Sequence, residues 1–525
     1  MVGCPGCGSR LVFDIETQKM KCVYCGQYYM VSQVSPKSKN ADEAIMENNE
    51  LMQVTVFTCS QCGAEIIADT DEAVTWCSYC GSPATLESRL SSIRRPDTVI
   101  PFKIGKEECV SRYRAIARKQ IYAPTALLKQ GKAESFRGIY MPFWSYDFTR
   151  GGAFRFPGTK VEVIGNEQIT TKYMATGRLD SRYEGLAHDA SLSFEDDISE
   201  KIVPFMRKDA VEFDECYLNG FYANAADQNE QEYRRKMLSV EGDLIISEAK
   251  KEFSNIGLQE KEAKAQLSDE SAYLVETESS LAMYPVWFLS YRRGDRVSYG
   301  TVNGQTGKVY ADFPASPFKY LLFSLITAVP IFLLLNLLLT AMPSFVLFVA
   351  LTCGFVVSTL FKKEVEELFL KTCHIRYDNK SKINLKTILG GIGTVFSLII
   401  VALAYLIPML MTALDNFDVE IETVYLVVAA VFMIIFLVRF FGMKGRYMSL
   451  TGIRMNMTNA LFLAVDAAAI LMFLLKPASD MLYYAVAFAA AAAVAFSVTS
   501  LIHGYNLLSS QKPKQFARSG GDDNA

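Results

Sequence analysis

Apolar residues are distributed unevenly along the 525-residue chain. Residues 1–315 alternate between polar and apolar stretches, as soluble domains do, whereas residues 320–502 are overwhelmingly apolar. A helix of about 20 apolar residues, rising 1.5 Å per residue, crosses the ~30 Å hydrocarbon core of a bilayer. Six such stretches are present: 319–341, 344–361, 388–413, 423–441, 457–475 and 481–502. The pattern predicts an all-α polytopic membrane domain of six helices over residues 319–502.

The loops between these stretches differ in charge, which predicts their orientation. Lys and Arg are concentrated between the second and third stretches, between the fourth and fifth, and in the tail at 503–525. The opposite side of the predicted membrane carries Lys476 alone. Because basic loops stay in the cytoplasm, both termini are predicted to be cytoplasmic and the chain to be a multi-pass protein of the inner (plasma) membrane. No secretory signal pattern precedes Cys4.

The region before the apolar half contains an internal similarity. "VIPFKI" at Val99–Ile104 resembles "IVPFMR" at Ile202–Arg207, and "YMPFWSY" at Tyr140–Tyr146 resembles "YPVWFLSY" at Tyr284–Tyr291. In each half an aliphatic-Pro-Phe strand precedes a helix-prone stretch and a Pro-x-Trp strand. The repeat predicts a duplicated α+β cytosolic domain over 96–316, with a helical insertion at about 225–280. Alternating residues around Asn303-Gly304 predict a β-hairpin over Ser298–Pro314.

Twelve cysteines are present, and eight of them form four Cys-x2-Cys-Gly motifs. These are Cys4, Cys7, Cys22, Cys25, Cys59, Cys62, Cys77 and Cys80. The spacing C-x2-C-x14-C-x2-C occurs twice, with the second copy 55 positions after the first. It is close to the spacing of four-cysteine zinc sites. Cys109, Cys216, Cys353 and Cys373 occur singly and are expected to be ordinary packed residues.

The motif has a geometric reason. Two cysteines three positions apart on a tight turn can ligate one ion, and the glycine that follows permits the positive φ of that turn. Two turns supply four thiolates, which leave no open coordination position, so two structural Zn²⁺ ions are predicted. Disulfides and rubredoxin-type iron remain as alternatives. The predicted organisation is zinc ribbon one at 1–35, a linker at 36–54, and zinc ribbon two at 55–90.

Charge argues against nucleic acid as the partner of the ribbons. The net charge of the whole chain is −3, and each four-thiolate zinc centre adds a further −2. Ribbon one is nearly neutral outside its ligands, and ribbon two carries an excess of Asp and Glu. Phosphate binding needs a net positive face, so contact with proteins is favoured and nucleic acid is unlikely.

The tandem ribbons, "YMPFW" and "NGQTGKVYADFP" before an apolar segment resemble a family of bacterial membrane proteins. The family is that of the TFIIB-type zinc-ribbon-containing proteins, with the YdjG-like proteins among them, and some members are mislabelled as PriA-type helicases. The resemblance implies a membrane-anchored cytoplasmic adaptor in the envelope-stress response. It implies partners that are phage-shock-protein-A-like or SPFH/flotillin-like.

Signatures of catalysis are missing from the sequence. No G-x-x-x-x-G-K-[ST] loop is present to hold a triphosphate, and "NGQTGK" lies in a predicted hairpin. The three histidines, His188, His374 and His503, are expected to be surface or interfacial residues. No catalytic or cofactor-binding residue is therefore predicted, and the chain is not expected to be an enzyme.

A carboxylate within the fifth apolar stretch raises a second hypothesis. Asp466 is costly in a membrane unless it is bonded or protonated, with Asn336 as one candidate partner. The leading interpretation is a membrane-anchored adaptor or scaffold. A transporter or channel subunit with regulatory ribbons and a membrane-tethered nucleic-acid-binding protein are the alternatives. Small residues at Ala489–Ala493 suit close helix packing, within one chain or in a homo-oligomer.

Overall fold

The structure is a computed structural model, and it divides the chain into two compact units. The described residues are 2–35, 51–68, 77–82, 86–128, 135–164, 167–191, 194, 196–269, 273–338 and 460–510, with scattered positions between 347 and 458. Residues 1–119 and 125–312 belong to the first unit, here called the sheet unit. Residues 120–124 and 313–511 belong to the second, here called the apolar unit.

The elements are numbered in chain order. The strands are β1 Leu11–Asp14, β2 Lys19–Cys22, β3 Tyr28–Tyr29, β4 Leu51–Cys59, β5 Glu65–Ile67, β6 Leu86–Arg94, β7 Thr98–Val99, β8 Arg137–Ile164, β9 Glu167–Asp189, β10 Val211–Glu212, β11 Tyr222–Ala223, β12 Gly257–Leu258, β13 Leu274–Arg293, β14 Arg296–Asn303 and β15 Val309–Ala311. The helices are α1 Val31–Val34, α2 Lys106–Lys119, α3 Asp196–Ile202, α4 Glu230–Glu252, α5 Glu260–Leu267, α6 Pro317–Leu338, α7 Ala460–Leu475 and α8 Asp480–Leu508. Short 3₁₀ turns lie at Thr125–Leu128, Arg207–Asp209 and Glu215–Leu218.

The sheet unit contains two sheets. Strands β1, β2 and β3 form a small antiparallel sheet. The other twelve strands form one mixed sheet whose central path runs β10-β7-β13-β8-β11-β5-β4-β6. Strands β14 and β15 form the antiparallel hairpin that the sequence predicts at Ser298–Pro314.

The centre of the large sheet has a two-fold symmetric register. Strands β8 and β13 are antiparallel, with Tyr140 opposite Pro285 and Pro142 opposite Met283. Pro142 and Pro285 therefore occupy equivalent places, 143 positions apart, and so do Trp144 and Trp287. The indole N–H of Trp144 donates to Gln228 O at 2.9 Å, and that of Trp287 donates to Ile104 O at 2.7 Å.

In the second half of this symmetric pair, the strand that precedes the helix is not the one that the sequence similarity predicts. Strand β7 pairs in parallel with β13 at Ala282 and Met283, and β11 pairs in parallel with β8 at the equivalent positions. Helix α2 begins seven residues after β7 ends, and α4 begins seven residues after β11 ends. The equivalent of Val99–Ile104 is therefore the segment 223–228, and the match to Ile202–Arg207 is wrong.

The segment 202–207 has another environment. Helix α3 ends at Ile202, and the Val203–Pro204 peptide bond is cis. The side-chain amide of Gln305 accepts from Met206 N at 2.7 Å and donates to Met206 O at 2.9 Å. Asn303 Nδ2 donates to Ile202 O at 3.0 Å. "NGQTGK" thus holds a neighbouring chain segment through amide side chains.

The helical insertion covers the outer part of the long β8–β9 hairpin. Helices α4 and α5 pack on one face of the hairpin around Phe156, Ala175, Ile245 and Leu267. Within this contact Arg150 forms a two-point ion pair with Glu241, at 3.1 and 2.7 Å, and both side chains are fully buried. A buried charge pair must be complete to be tolerated, so this pair fixes how the helices lie on the strands.

The predicted six-helix membrane bundle is wrong for this structure. Within the described residues, one helix is long and apolar enough to cross a membrane, Met481–Leu508 in α8. Shorter apolar helical stretches lie at Pro317–Ile326 in α6 and at Ala460–Leu475 in α7, which ends where Lys476 adopts a positive φ before Pro477. Hydropathy marks stretches that avoid water but does not fix helix length. The predicted spans 344–361, 388–413 and 423–441 fall on residues that are mostly outside the described ones.

Candidate metal centres

Each of the four Cys-x2-Cys-Gly motifs folds into the same tight turn. In all four, the glycine N–H donates to the carbonyl of the first cysteine, at 2.8, 3.1, 2.8 and 3.0 Å along the chain. The first cysteine N–H is bonded to the carbonyl of the residue after that glycine. The four glycines, Gly8, Gly26, Gly63 and Gly81, have φ between 65° and 75°. The predicted need for glycine is confirmed, because L side chains rarely adopt this conformation.

The turns bring the eight cysteines together as two sets of four. Cys4, Cys7, Cys22 and Cys25 form the first set, and Cys59, Cys62, Cys77 and Cys80 form the second. Within each set all four sulfur atoms lie within 4.8 Å of one another. All eight thiols are free, so no disulfide joins them.

The spacing of the sulfur atoms fits a tetrahedral zinc ion. A Zn–S bond is about 2.3 Å, so the edge of an ideal four-thiolate tetrahedron is about 3.8 Å. The sulfur pairs measured across the first set are 3.7 Å (Cys4–Cys25) and 3.5 Å (Cys7–Cys22). Across the second set they are 3.9 Å (Cys59–Cys80) and 3.7 Å (Cys62–Cys77). Both sets are therefore positioned to bind one Zn²⁺ each.

Hydrogen bonds to sulfur favour the thiolate form that a metal needs. The Tyr29 hydroxyl lies 3.5 Å from Cys4 Sγ, and this bond lowers the pKa of Cys4 to about 6. In the second set, hydrogen bonds from the fellow ligands Cys62 and Cys77 lower the pKa of Cys80 and raise their own, and the hydroxyl of Ser82, outside the ligand set, lowers the pKa of Cys80 further. Ser82 Oγ lies 2.7 Å from Cys80 Sγ. Such outer partners orient ligands and raise metal affinity.

The two centres differ in their surroundings. In ribbon one, Cys7 and Cys25 are exposed, and the turn between Cys22 and Cys25 carries Val23 and Tyr24, which are 60% and 84% exposed. In ribbon two, all four ligands are buried in the main core. In ribbon one, a turn that carries metal ligands is therefore exposed at the surface, whereas in ribbon two the metal ligands are enclosed by the core.

Ribbon two is continuous with the large sheet. Strand β5 of the ribbon pairs with β11 through Ile67 and Ala223. Tyr79, in the turn between Cys77 and Cys80, is buried and lies 5.6 Å from the Phe288 ring. Its carbonyl accepts a hydrogen bond from the Tyr299 hydroxyl at 2.9 Å. Sequence spacing identifies the ligands but carries no signal for this embedding, since the contacts join residues more than 100 positions apart.

Ribbon one contacts the rest of the sheet unit through β1 and through the turn between β1 and β2. Phe13 N donates to Asn219 O at 3.0 Å, and the Phe13 ring lies 5.2 Å from that of Tyr217. Gln18 Nε2 donates to Phe102 O at 2.8 Å. The turn at Val23 and Tyr24 takes no part in these contacts, and both side chains are exposed.

The remaining predicted residues lie apart from the metal sets. His188 is buried, so the expectation that it is a surface or interfacial residue is wrong: its ring stacks on Tyr233 at 3.9 Å, and Nδ1 lies 2.8 Å from Asp189 O. Cys109 and Cys216 are buried and free, as expected. Asp466 lies in α7, buried, and its Oδ1 has no partner among the described residues.

Comparison with known proteins gives one distant relative. The chain is 28% identical over 317 residues to YdjG of Bacillus subtilis (strain 168), a protein described as uncharacterized. The match covers 60% of this chain and 89% of YdjG. No family model and no solved structure matches the chain. The expected resemblance thus holds at the level of similarity to YdjG.

Proposed function

We propose that the protein is a membrane-anchored zinc-ribbon adaptor that recruits cytosolic proteins to the inner face of the membrane. The observation that carries the proposal is the exposed turn of ribbon one. Val23 and Tyr24 project from a turn whose backbone is fixed by hydrogen bonds and by two ligands of the metal set. A rigid turn loses little conformational freedom on binding, and Tyr is enriched among the residues that dominate binding energy.

The size of this contact can be estimated. Burying an apolar side chain from water contributes about 1.5–3 kcal/mol. Val23 and Tyr24 together would contribute roughly 3–5 kcal/mol after losses from ordering the partner, or a factor of about 10² to 4 × 10³ in affinity. The aromatic ring of Tyr28 and the side chain of Met30 are also exposed close by in sequence.

Helix α8 supports the membrane part of the proposal. Its surface carries large exposed apolar residues, with Met481 at 82%, Tyr484 at 71% and Phe488 at 78%. A continuous apolar surface of this kind is unfavourable in water and favourable among lipid chains. We propose that α8 anchors the chain in the plasma membrane. Alkaline carbonate washing of membranes should leave the full chain in the pellet, and its release into the wash would contradict the anchor.

The partners belong to the same proposal. The resemblance noted in the sequence suggests phage-shock-protein-A-like or SPFH/flotillin-like proteins and an envelope-stress role. Ribbon one would hold such a protein near the bilayer.

The test is the double substitution Val23→Ser and Tyr24→Ser in the full chain. Neither residue is a metal ligand, so the zinc content should remain unchanged. Proteins copurified from native membranes are identified by mass spectrometry, and each purified candidate is then titrated against wild type and variant. We expect at least a tenfold loss of affinity for the true partner.

A matched control is Leu90→Ser on β6, which removes a side chain that is 78% exposed but lies in ribbon two. Recruitment should persist in this control. Equal binding by wild type, the double variant and the control would refute the adaptor function of ribbon one.

A further inference from the structure

The outer edge of strand β9 has no partner strand in the described part of the chain. Strand β9 runs for 23 residues and pairs with β8 along one edge only. Strand β8, in contrast, has β13 and β12 beyond it. An open edge presents backbone donors and acceptors to any other strand, and proteins commonly block it with proline, bulges or short length. No proline occurs in β9.

The accessible stretch of this edge is 168–184. Side chains at 168–174 and 176–178 are exposed, and exposed positions alternate with partly buried ones from Leu179 to Glu184. From Gly185 onward the strand is covered: the Arg207 side chain lies against Gly185, and Ser199 of α3 is hydrogen-bonded to Asp189. Any added strand must therefore pair within 168–184.

The two faces of this stretch differ. Ala175, Leu179 and Tyr183 contribute to the core beneath α4 and α5. The even-numbered residues, among them Lys172, Thr176 and Asp180, are exposed on the other face. Directly opposite residues of two paired strands lie on the same face of a sheet. If the added strand is a second β9, its odd-numbered residues must therefore lie opposite odd-numbered residues, and its even-numbered residues opposite even-numbered ones.

We propose that two copies of this chain pair antiparallel through β9, with the two-fold axis at Thr176. In this register Lys172 of each copy lies opposite Asp180 of the other, so two opposite-charge pairs form by symmetry. Neither residue has an ion pair within the described part of its own chain. Tyr173 lies opposite Leu179, and Ile169 opposite Tyr183, on the face that carries the helices. Tyr173 and Ile169 are 41% and 44% exposed in the single chain.

Charge selects this register over its neighbours. An axis at Ala175 would place Lys172 opposite Arg178, and one at Gly177 would place Lys172 opposite Arg182. An axis at Arg178 or Asp180 would place that residue opposite its own copy. Like charges directly opposite each other are destabilising.

Other registers also avoid like charges, for example those with axes at Met174 or Leu179. They pair shorter stretches, because the accessible edge runs only from 168 to 184. The axis at Thr176 uses the whole stretch from 168 to 184 with no like-charge pair. The strand that this edge fits is therefore the β9 of a second copy of the chain.

Cysteine substitution on the zinc-loaded full chain in detergent tests the register. Directly opposite residues in an antiparallel pair have Cα atoms about 4.5–5.5 Å apart, within reach of a disulfide. Thr176→Cys should give a covalent dimer under mild oxidation. Thr170→Cys is the matched control, because its own copy would lie twelve positions away, about 40 Å along the strand. Wild type measures the background from native thiols.

Charge exchange tests the partner. Lys172→Asp and Asp180→Lys should each raise the dimer dissociation constant about tenfold, since each creates two like-charge pairs. The double variant should return it to within about threefold of wild type. Cross-linking of Thr176→Cys above the control, with this rescue, supports self-pairing. A monomeric mass at ~100 μM, equal cross-linking of both cysteine variants, or failure of the rescue would overturn it.

Discussion

Loss of the zinc centre in ribbon one and loss of the zinc centre in ribbon two are expected to have very different consequences. Replacing Cys22 and Cys25 by Ser removes two ligands of ribbon one, and replacing Cys77 and Cys80 by Ser does the same in ribbon two. Each variant should lose about one of two zinc ions per chain. We expect the first change to unfold residues 2–35 alone and the second to unfold much of the sheet unit.

The difference follows from the contacts of each ribbon. Binding of structural zinc contributes about 10–16 kcal/mol in small zinc peptides, and a domain is stable by about 5–15 kcal/mol. Ribbon one contacts the rest of the unit through a few hydrogen bonds, each worth about 1 kcal/mol, and the packing of Phe13. We estimate a cost of roughly 3–5 kcal/mol to the remaining sheet.

Ribbon two is part of the core. Its four ligands pack with residues of β8 and β13, such as Met141 and Phe288. Loss of its metal leaves four thiols in that core without the ion that closes the turns. The cost is therefore comparable to the entire stability of the sheet unit.

Hydrogen–deuterium exchange on the full chain in detergent measures both outcomes by segment. Zinc content per chain is measured on the same samples. In the ribbon-one variant, protection should fall in β1–β3 and persist in β8 and β13. In the ribbon-two variant it should fall in β8 and β13 as well. Retained protection of β8 and β13 in the zinc-depleted ribbon-two variant would refute the argument from embedding.

Three other contacts can be tested by substitution. Arg150→Met alone should destabilise the sheet unit by about 3–5 kcal/mol, because Glu241 is left buried and unpaired, and Arg150→Met with Glu241→Leu should recover most of the loss in thermal melts. Gly304→Ala should cost about 1–3 kcal/mol in the same melts, because the added Cβ would lie 2.6 Å from the Phe102 ring. Tyr29→Phe should weaken zinc binding by ribbon one about tenfold in a chelator competition, and an unchanged affinity would mean that its hydroxyl does not support the ligand.

The metal ligands were predictable because the signal is local. Each turn needs two cysteines and a glycine within five consecutive residues, and the covalent spacing nearly fixes the geometry. The hairpin of β14 and β15 was predictable for the same reason, since Asn303-Gly304 and the flanking alternation lie side by side in sequence.

The errors concern contacts between distant residues. "IVPFMR" looks like "VIPFKI", yet the edge of β8 at Tyr140 is occupied by β11, whose sequence has no Pro-Phe pair. Strand equivalence is decided by register, which local composition does not encode. The exposure of Tyr24 likewise depends on which side of ribbon one packs against the rest of the sheet unit. Hydropathy predicted six membrane helices, whereas the described residues contain one helix that is long and apolar enough to cross a membrane, because hydropathy reports apolar composition and not the length of a continuous helix.

The symmetric register of β8 and β13 has an evolutionary consequence. Two identical strands meet in such a register when two separate copies of one unit associate. Duplication and fusion of a gene for a self-associating half would produce this register within one chain. Two polypeptides separated between α3 and β10 should therefore still recognise each other when produced together, because β13 pairs with β8 and β7, and β11 pairs with β8, across the break.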